Sequence, residues 1–172
     1  MHLGILLYNG IFYGVFVLSV YKSCAGESMS DRTLTIVGAI GSICNGSSRI
    51  AWSAVQDKYG FNRIYLIVLV IQLISAIFIY RVRDLPILYS ICVALAFVTD
   101  GATFSMFPAA AAQIFGIANG GQILTIMLFA VPFSSLTGYA LIKMDSISEQ
   151  GIFNIAVIMT LLNILLLFVF DD

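Results

Sequence analysis

The sequence is poor in charged residues and correspondingly rich in apolar ones. Only 10% of its 172 residues are charged, whereas 60% are hydrophobic; soluble domains carry about 25% charged residues. A soluble globule of this length could not hide so much apolar surface, because small domains leave much of their surface in water. The net charge of −1 provides no basic field for a phosphate backbone, which excludes a nucleic-acid binder. The composition therefore predicts an integral membrane protein.

Residue types that serve catalysis and metal binding are also scarce. The single histidine, His2, lies at the terminus, and the three cysteines (Cys24, Cys44 and Cys92) are odd in number and scattered. Neither a disulfide framework nor a zinc-ligand spacing is present, and the apolar segments contain no set of side chains suited to acid–base or nucleophilic catalysis. We therefore expect no catalytic residue, no metal site and no cofactor, and we expect that the protein is not an enzyme.

Six long apolar segments divide the chain. A helix needs roughly 20 residues to cross a bilayer core, and each segment is close to that length. Segments in lipid must satisfy their own backbone hydrogen bonds, which helices do. The strict alternation of apolar and polar residues that a transmembrane β-strand shows is absent, so helices are predicted. We call these segments spans a to f; they cover residues 2–21, 33–55, 64–80, 85–107, 122–142 and 152–170. Their short connections predict one six-helix bundle over residues 1–172, in a multi-pass protein whose membrane the sequence does not identify.

Glycine is distributed unevenly among the spans. Spans a, b, d and e contain glycine, and spans c and f contain none. Because glycine lets helix backbones approach closely, the first set is predicted to be central and the second peripheral. The resulting order, two central spans and one peripheral span in each half, predicts two three-helix repeats, a plan found in many transporters.

A polar stretch, residues 45–63, carries the most information. An arginine, Arg49, stands inside span b, and Asp57, Lys58 and Gly60 follow in the turn before span c. Glycine permits a sharp reversal between helices, an acidic side chain can face the positive N-terminus of a neighbouring helix, and basic residues suit lipid headgroups. An ordinary solvated turn between two helices would contain the same residue types.

This stretch resembles the signature loop of the major facilitator superfamily, which joins the second and third helices of each six-helix half. The matching residues are Ser53, Asp57, Lys58, Gly60 and Arg63. The pair Arg49 and Trp52, together with residues 104–109 and 114–116 at the end of span d, is similar to the monocarboxylate and oxalate–formate antiporter branch. The resemblance implies the C-terminal half of a twelve-helix transporter that works by alternating access, and hence a fragment.

The resemblance also implies a gate, a solute and a partner. It assigns Asp57, Lys58, Gly60 and Arg63 to a gating loop, and it implies a small organic anion carried with proton or anion exchange. The bundle would pair, within the lipid bilayer, with a missing N-terminal six-helix half or with a second copy. Span e lacks the lysine that oxalate-type relatives carry in the corresponding helix, which points away from a dicarboxylate. The alternative function is a non-transporting membrane protein that binds or regulates a transporter.

Two charged residues interrupt the apolar spans: Arg49 in span b and Asp100 in span d. A charge in mid-bilayer costs about 2.5–3.5 kcal/mol on insertion scales, so such residues usually serve function. Arginine can bind a carboxylate through two parallel hydrogen bonds, and the resemblance implies that Arg49 binds the substrate anion. Asp100 and Asn45 are the other candidate substrate-site residues. Two alternatives stay open for Arg49: a structural pair with Asp100, and a guanidinium that reaches the membrane surface.

Overall fold

The computed structural model of the chain describes residues 2–144 and 147–169, and this part is helical apart from its turns. Six helices follow one another: α1 (His2–Val20), α2 (Asp31–Tyr59), α3 (Phe61–Phe78), α4 (Pro86–Met127), α5 (Ala130–Lys143) and α6 (Glu149–Val169). The predicted all-α class is confirmed for these residues.

Five helical stretches in the described part are long and apolar enough to cross a membrane. They are α1, α3, the part of α4 up to Gly116, the stretch Ala118–Lys143, and α6. Helix α2 has 29 residues, which is long enough, but its charged and hydroxyl side chains make it more polar than the others. The protein is therefore an integral multi-pass membrane protein, while the plan of six spans in two repeats stays a prediction.

The helix bounds differ most from the predicted spans around span d. The sequence predicts an end at residue 107 and a small-residue connection over residues 108–121, but α4 continues through this region. Its one break is Gly116, with φ 75° and ψ 159°, after which helix resumes directly. Alanine has the highest helix propensity and proline is tolerated within membrane helices, so the alanines after Pro108 extend the helix. The predicted last residue of span f, Phe170, lies outside the described residues.

Helix α1 lies at the centre of the bundle. It packs against α4, α5 and α6, whereas α2 packs mainly against α4 and α3 lies between α4 and α6. The stretch that contains α5 has the smallest buried share of the candidate spans, 17%. Span e is therefore not central as predicted. A Cβ at its one internal glycine, Gly138, would meet Phe16 of α1 at an ordinary 3.5 Å, so this glycine does not mark an unusually close approach of two helices.

Two apolar clusters fill the bundle, one toward each end of α1, and a layer of buried polar side chains separates them. In α4, Phe97 belongs to one cluster and Ala102 to the other, and Asp100 lies between them. The other polar residues of this layer are Asn45, Gln72, Ser75, Thr99, Thr103, Thr160 and Asn163. Hydrogen bonds within the layer join helices; for example, Nε2 of Gln72 in α3 donates to Oγ1 of Thr160 in α6 at 3.0 Å.

Candidate functional site

The three predicted substrate-site residues lie together in the structure. Asn45 of α2 is buried, and its Nδ2 donates a hydrogen bond to Oδ2 of Asp100 in α4 at 2.9 Å. Its side-chain oxygen accepts a hydrogen bond from Nε of Arg49 at 3.1 Å, one helical turn further along α2. Since an amide side chain has one donor end and one acceptor end, Asn45 links the two charged groups through both of them.

Arg49 and Asp100 form no ion pair with each other in the part of the chain that the structure describes. Asn45 lies between them and contacts each one. The structure thus differs from the direct structural pair that the sequence left open. What it shows instead is an amide that orients a cation on one side and a carboxyl group on the other.

The guanidinium of Arg49 makes two contacts, one with Asn45 and one with Phe104. Its Nε is used by Asn45, and its central carbon lies 5.2 Å from the ring centroid of Phe104, within the range of a cation–π contact. Arg49 is exposed, and its two terminal Nη groups have no hydrogen-bond partner among residues 2–144 and 147–169. This free end is the planar fork that binds the two oxygens of a carboxylate in parallel.

Asp100 is buried between α1 and α2, with only 3% of its surface exposed. Its Oδ2 accepts from Asn45, whereas its Oδ1 has no hydrogen-bond partner among the described residues. Gly14 of α1 lies so close that a Cβ added there would be 2.5 Å from Oδ1 and 2.7 Å from Cβ of Asp100. The carboxyl group therefore fits only because α1 has no side chain at this position.

Three residues that build this site were not predicted. Gly14 makes room for Asp100, Phe104 supports the guanidinium of Arg49, and Gly101 brings α4 close to α2. A Cβ at Gly101 would lie 2.5 Å from the backbone oxygen of Asn45. The glycine content of spans a and d was the available signal, but the spacing of glycines does not say which helix each one faces.

The four predicted gating residues lie together at the turn between α2 and α3. Gly60 both ends α2 and precedes α3; its φ is 85°, and its N–H donates to the carbonyl of Gln56 at 2.8 Å. Glycine is the residue that adopts such a positive φ without strain, which accounts for the sharp reversal. Asp57, Lys58 and Arg63 are exposed around this turn.

A further buried polar residue near this turn, Gln56, was not singled out in the sequence. It is 1% exposed, and its Nε2 donates to the backbone oxygen of Met106 in α4 at 3.2 Å. Its Oε1 has no partner among the described residues. The bond fixes the end of α2 against α4, at roughly 10 Å along α2 from Arg49 at 1.5 Å per residue.

Metal binding and thiol chemistry find little support in the described residues. No group of three or more His, Cys, Asp or Glu side chains that could hold a metal ion occurs there. Cys24, in the connection between α1 and α2, is buried, and this burial raises the pKa of its thiol to about 11. The site around Arg49 offers charge and hydrogen bonding, which suit the binding of an anion.

Comparison with known proteins shows a similarity to pyruvate carriers. Over 131 residues, or 72% of the chain, the sequence is 28% identical to apicoplast pyruvate carrier 1 of Toxoplasma gondii. Over 95 residues, or 54% of the chain, it is 28% identical to apicoplast pyruvate carrier 2 of the same organism. These matches cover 23% and 14% of the two relatives, so the chain spans less than a quarter of their length. No family model matches the chain.

This similarity overturns the assignment to the major facilitator superfamily. Both relatives are named as pyruvate carriers and neither as a facilitator, so the expected half of a twelve-helix facilitator, with its monocarboxylate and oxalate–formate branch, is wrong. The loop pattern misled because a tight turn between membrane helices calls for a glycine and flanking charges in any such protein. Both relatives are carriers and neither is named as an enzyme, in agreement with the prediction that this chain is not one.

Proposed function

We propose that the chain forms part of a membrane carrier for pyruvate or a similar small monocarboxylate, with Arg49 as the group that binds the carboxylate. The observation that carries the proposal is the state of the guanidinium: its Nε is fixed by Asn45, and its Nη fork has no partner among the described residues. The similarity to two pyruvate carriers supports the choice of solute. A single cation inside the spans matches a single carboxylate.

The neighbours of Arg49 give it the geometry that this role needs. Asn45 bonds to Nε of the guanidinium, and the guanidinium carbon lies over the ring of Phe104, so less side-chain freedom is lost when a carboxylate binds. Asp100 is the group through which a proton would accompany the solute. Its Oδ1 can take up a proton while Oδ2 still accepts the hydrogen bond from Asn45, so protonation requires no rearrangement of the link to Arg49.

The exposed face of α2 requires a partner. Arg49, Ser42 and Ser47 are exposed on this helix, and an arginine facing lipid at mid-bilayer would cost about 2.5–3.5 kcal/mol. We propose that a second helical bundle covers this face, either a second copy or a further segment of a longer polypeptide, with the solute between the two. The greater length of the relatives supports this arrangement. In it, three-helix repeats build each bundle, and the turn containing Asp57, Lys58, Gly60 and Arg63 serves as the gate.

Binding of pyruvate to the carrier purified with both bundles in detergent micelles tests this function. Isothermal titration would compare wild type with Arg49→Lys, which keeps the charge but loses the fork. Loss of a charge-assisted hydrogen bond costs about 1.5–3 kcal/mol, so Arg49→Lys should bind pyruvate roughly tenfold or more weakly.

The matched control is Arg32→Lys, at an exposed arginine in the first turn of the same helix. It should bind pyruvate with the affinity of the wild type. Equal affinities for all three proteins would contradict the proposal, as would a wild-type carrier, with both bundles present, that binds no pyruvate.

A further inference from the structure

A cavity lies between α1 and α5, and the proposed function does not use it. Its volume is about 120 Å³. A protein cavity of about 150 Å³ accommodates benzene, so this one has room for a molecule of roughly five or six non-hydrogen atoms. Helix α1 contributes Val15, Phe16 and Ser19 to its lining, and α5 contributes Ser134 and Gly138 among others. Among the residues that the structure describes, no charged side chain lines the cavity.

One hydroxyl group in this cavity is buried without a hydrogen-bond partner. Ser134 is 2% exposed, and its Oγ has no partner among the described residues. The hydroxyl of Ser19, by contrast, donates to the backbone oxygen of Val15 at 2.7 Å. Most buried polar groups in proteins are hydrogen-bonded, and a serine within a helix commonly bonds to its own backbone. Ser134 therefore presents a free donor to an otherwise largely apolar cavity.

Helix α1 separates this cavity from the site that contains Arg49, Asn45 and Asp100. Gly14 contacts the Asp100 carboxyl group, whereas the next two residues, Val15 and Phe16, line the cavity. The two places thus lie at the same height along α1 and differ in chemistry: the first has a cation and a carboxyl group, and the second has an uncharged hydroxyl donor on an apolar wall.

We propose that the cavity between α1 and α5 is a second binding site, for a small uncharged molecule with a carbonyl oxygen. Ser134 donates a hydrogen bond to that oxygen, and the side chains of Val15 and Phe16 contact the apolar body of the ligand. A carboxylate is excluded, because an anion brought there would find no cation in the lining to offset its desolvation. Small ketones and primary amides have the required chemistry.

Pyruvamide, an uncharged amide of matching size, is a suitable probe. Its affinity for the purified protein in detergent micelles would be measured by isothermal titration for wild type, Ser134→Ala and Gly138→Ala. A net hydrogen bond contributes about 0.5–1.5 kcal/mol, so Ser134→Ala should weaken binding between roughly twofold and tenfold. Gly138→Ala should also weaken it, because the added methyl group fills part of the cavity while meeting Phe16 Cδ2 at an ordinary 3.5 Å.

Two controls separate this inference from folding and from the proposed function. Ser90→Ala removes a hydroxyl that bonds to the backbone of its own helix, at Pro86, and it should leave pyruvamide binding unchanged. Arg49→Lys should keep pyruvamide binding while binding pyruvate more weakly. The unfolding temperature of Ser134→Ala should not fall, since the removed hydroxyl has no partner. A wild type that does not bind pyruvamide, or equal affinities for wild type, Ser134→Ala and Gly138→Ala, would overturn the inference.

Discussion

Replacing Gly14 with alanine is predicted to disturb the Asp100 site from the neighbouring helix. The added Cβ would lie 2.5 Å from Oδ1, 2.7 Å from Cβ and 2.9 Å from Cγ of Asp100, and contacts this short are essentially absent from real proteins. Either α1 and α4 must separate or the carboxyl group must turn, and both movements strain the 2.9 Å hydrogen bond from Asn45. Overpacking costs about 1–3 kcal/mol, and a lost hydrogen bond adds about 1 kcal/mol.

The matched control for this variant is Gly4→Ala in the same helix. There, the nearest atom to the added Cβ is Cγ of Met127 at 3.9 Å, so nothing has to move. Both variants gain the same helix propensity, so the difference between their unfolding temperatures reports the contact with Asp100 alone. For a chain of this size, a change of 1 kcal/mol in the free energy of unfolding shifts the unfolding temperature by about 2–4 °C. Gly14→Ala should therefore unfold roughly 4–16 °C below Gly4→Ala in detergent micelles.

A second substitution at the contact makes the test specific. Asp100→Gly removes both the carboxyl group and the Cβ that the new methyl group would meet, so Gly14→Ala should cost much less in that background. The double-mutant cycle should give a coupling free energy above about 1 kcal/mol. Equal unfolding temperatures for Gly14→Ala and Gly4→Ala, with no coupling to residue 100, would refute the reasoning.

Three further predictions concern the turn after α2 and the connection before it. Because φ of Gly60 is 85°, Gly60→Ala should lower the free energy of unfolding by about 1–3 kcal/mol. Gly46→Ala, in open space within α2, should not lower it, and equal unfolding temperatures for the two variants would contradict this prediction. Asp57→Asn should slow pyruvate uptake while leaving pyruvate affinity unchanged, and normal turnover would mean that Asp57 is merely solvated. Burial raises the pKa of Cys24 to about 11, so its alkylation should accelerate steadily from pH 7 to pH 10, because the thiolate is the nucleophile; a plateau near pH 9 would contradict this.

The helices could be predicted from the length of the apolar runs, but one boundary and the packing order could not. Alanines and a proline after residue 107 suggested a connection, yet backbone hydrogen bonds in a membrane favour continued helix, and the break is confined to Gly116. Glycine content suggested that span e is central, but burial depends on which helix a glycine faces. A Cβ at Gly138 would meet Phe16 of α1 at an ordinary 3.5 Å, whereas a Cβ at Gly14 or Gly101 would lie only 2.5 Å from the neighbouring helix.

The charged residues of the candidate site could be predicted from the sequence, whereas the contacts that depend on helix packing could not. Arg49 and Asp100 stand out as charges in apolar segments, and Asn45, four residues before Arg49, lies on the same helix face. The link from Asn45 to Asp100 depends on which side of α2 packs against α4, and this is a tertiary property. Ser134 gave no signal, because a serine in a membrane helix usually bonds to its own backbone, and only the packing of α5 on α1 leaves this one without a partner.

Uptake of labelled pyruvate into proteoliposomes that contain the carrier with both bundles, compared for Arg49→Ala, Asp100→Ala and the double variant, tests the role of Arg49 most directly. If Arg49 binds the carboxylate, Arg49→Ala should abolish uptake, and the double variant should stay inactive although it inserts correctly into the membrane. If the two residues only balance each other's charge, removing both should restore what either single change destroys. Restored pyruvate uptake in the double variant would contradict the assignment of Arg49 to the solute.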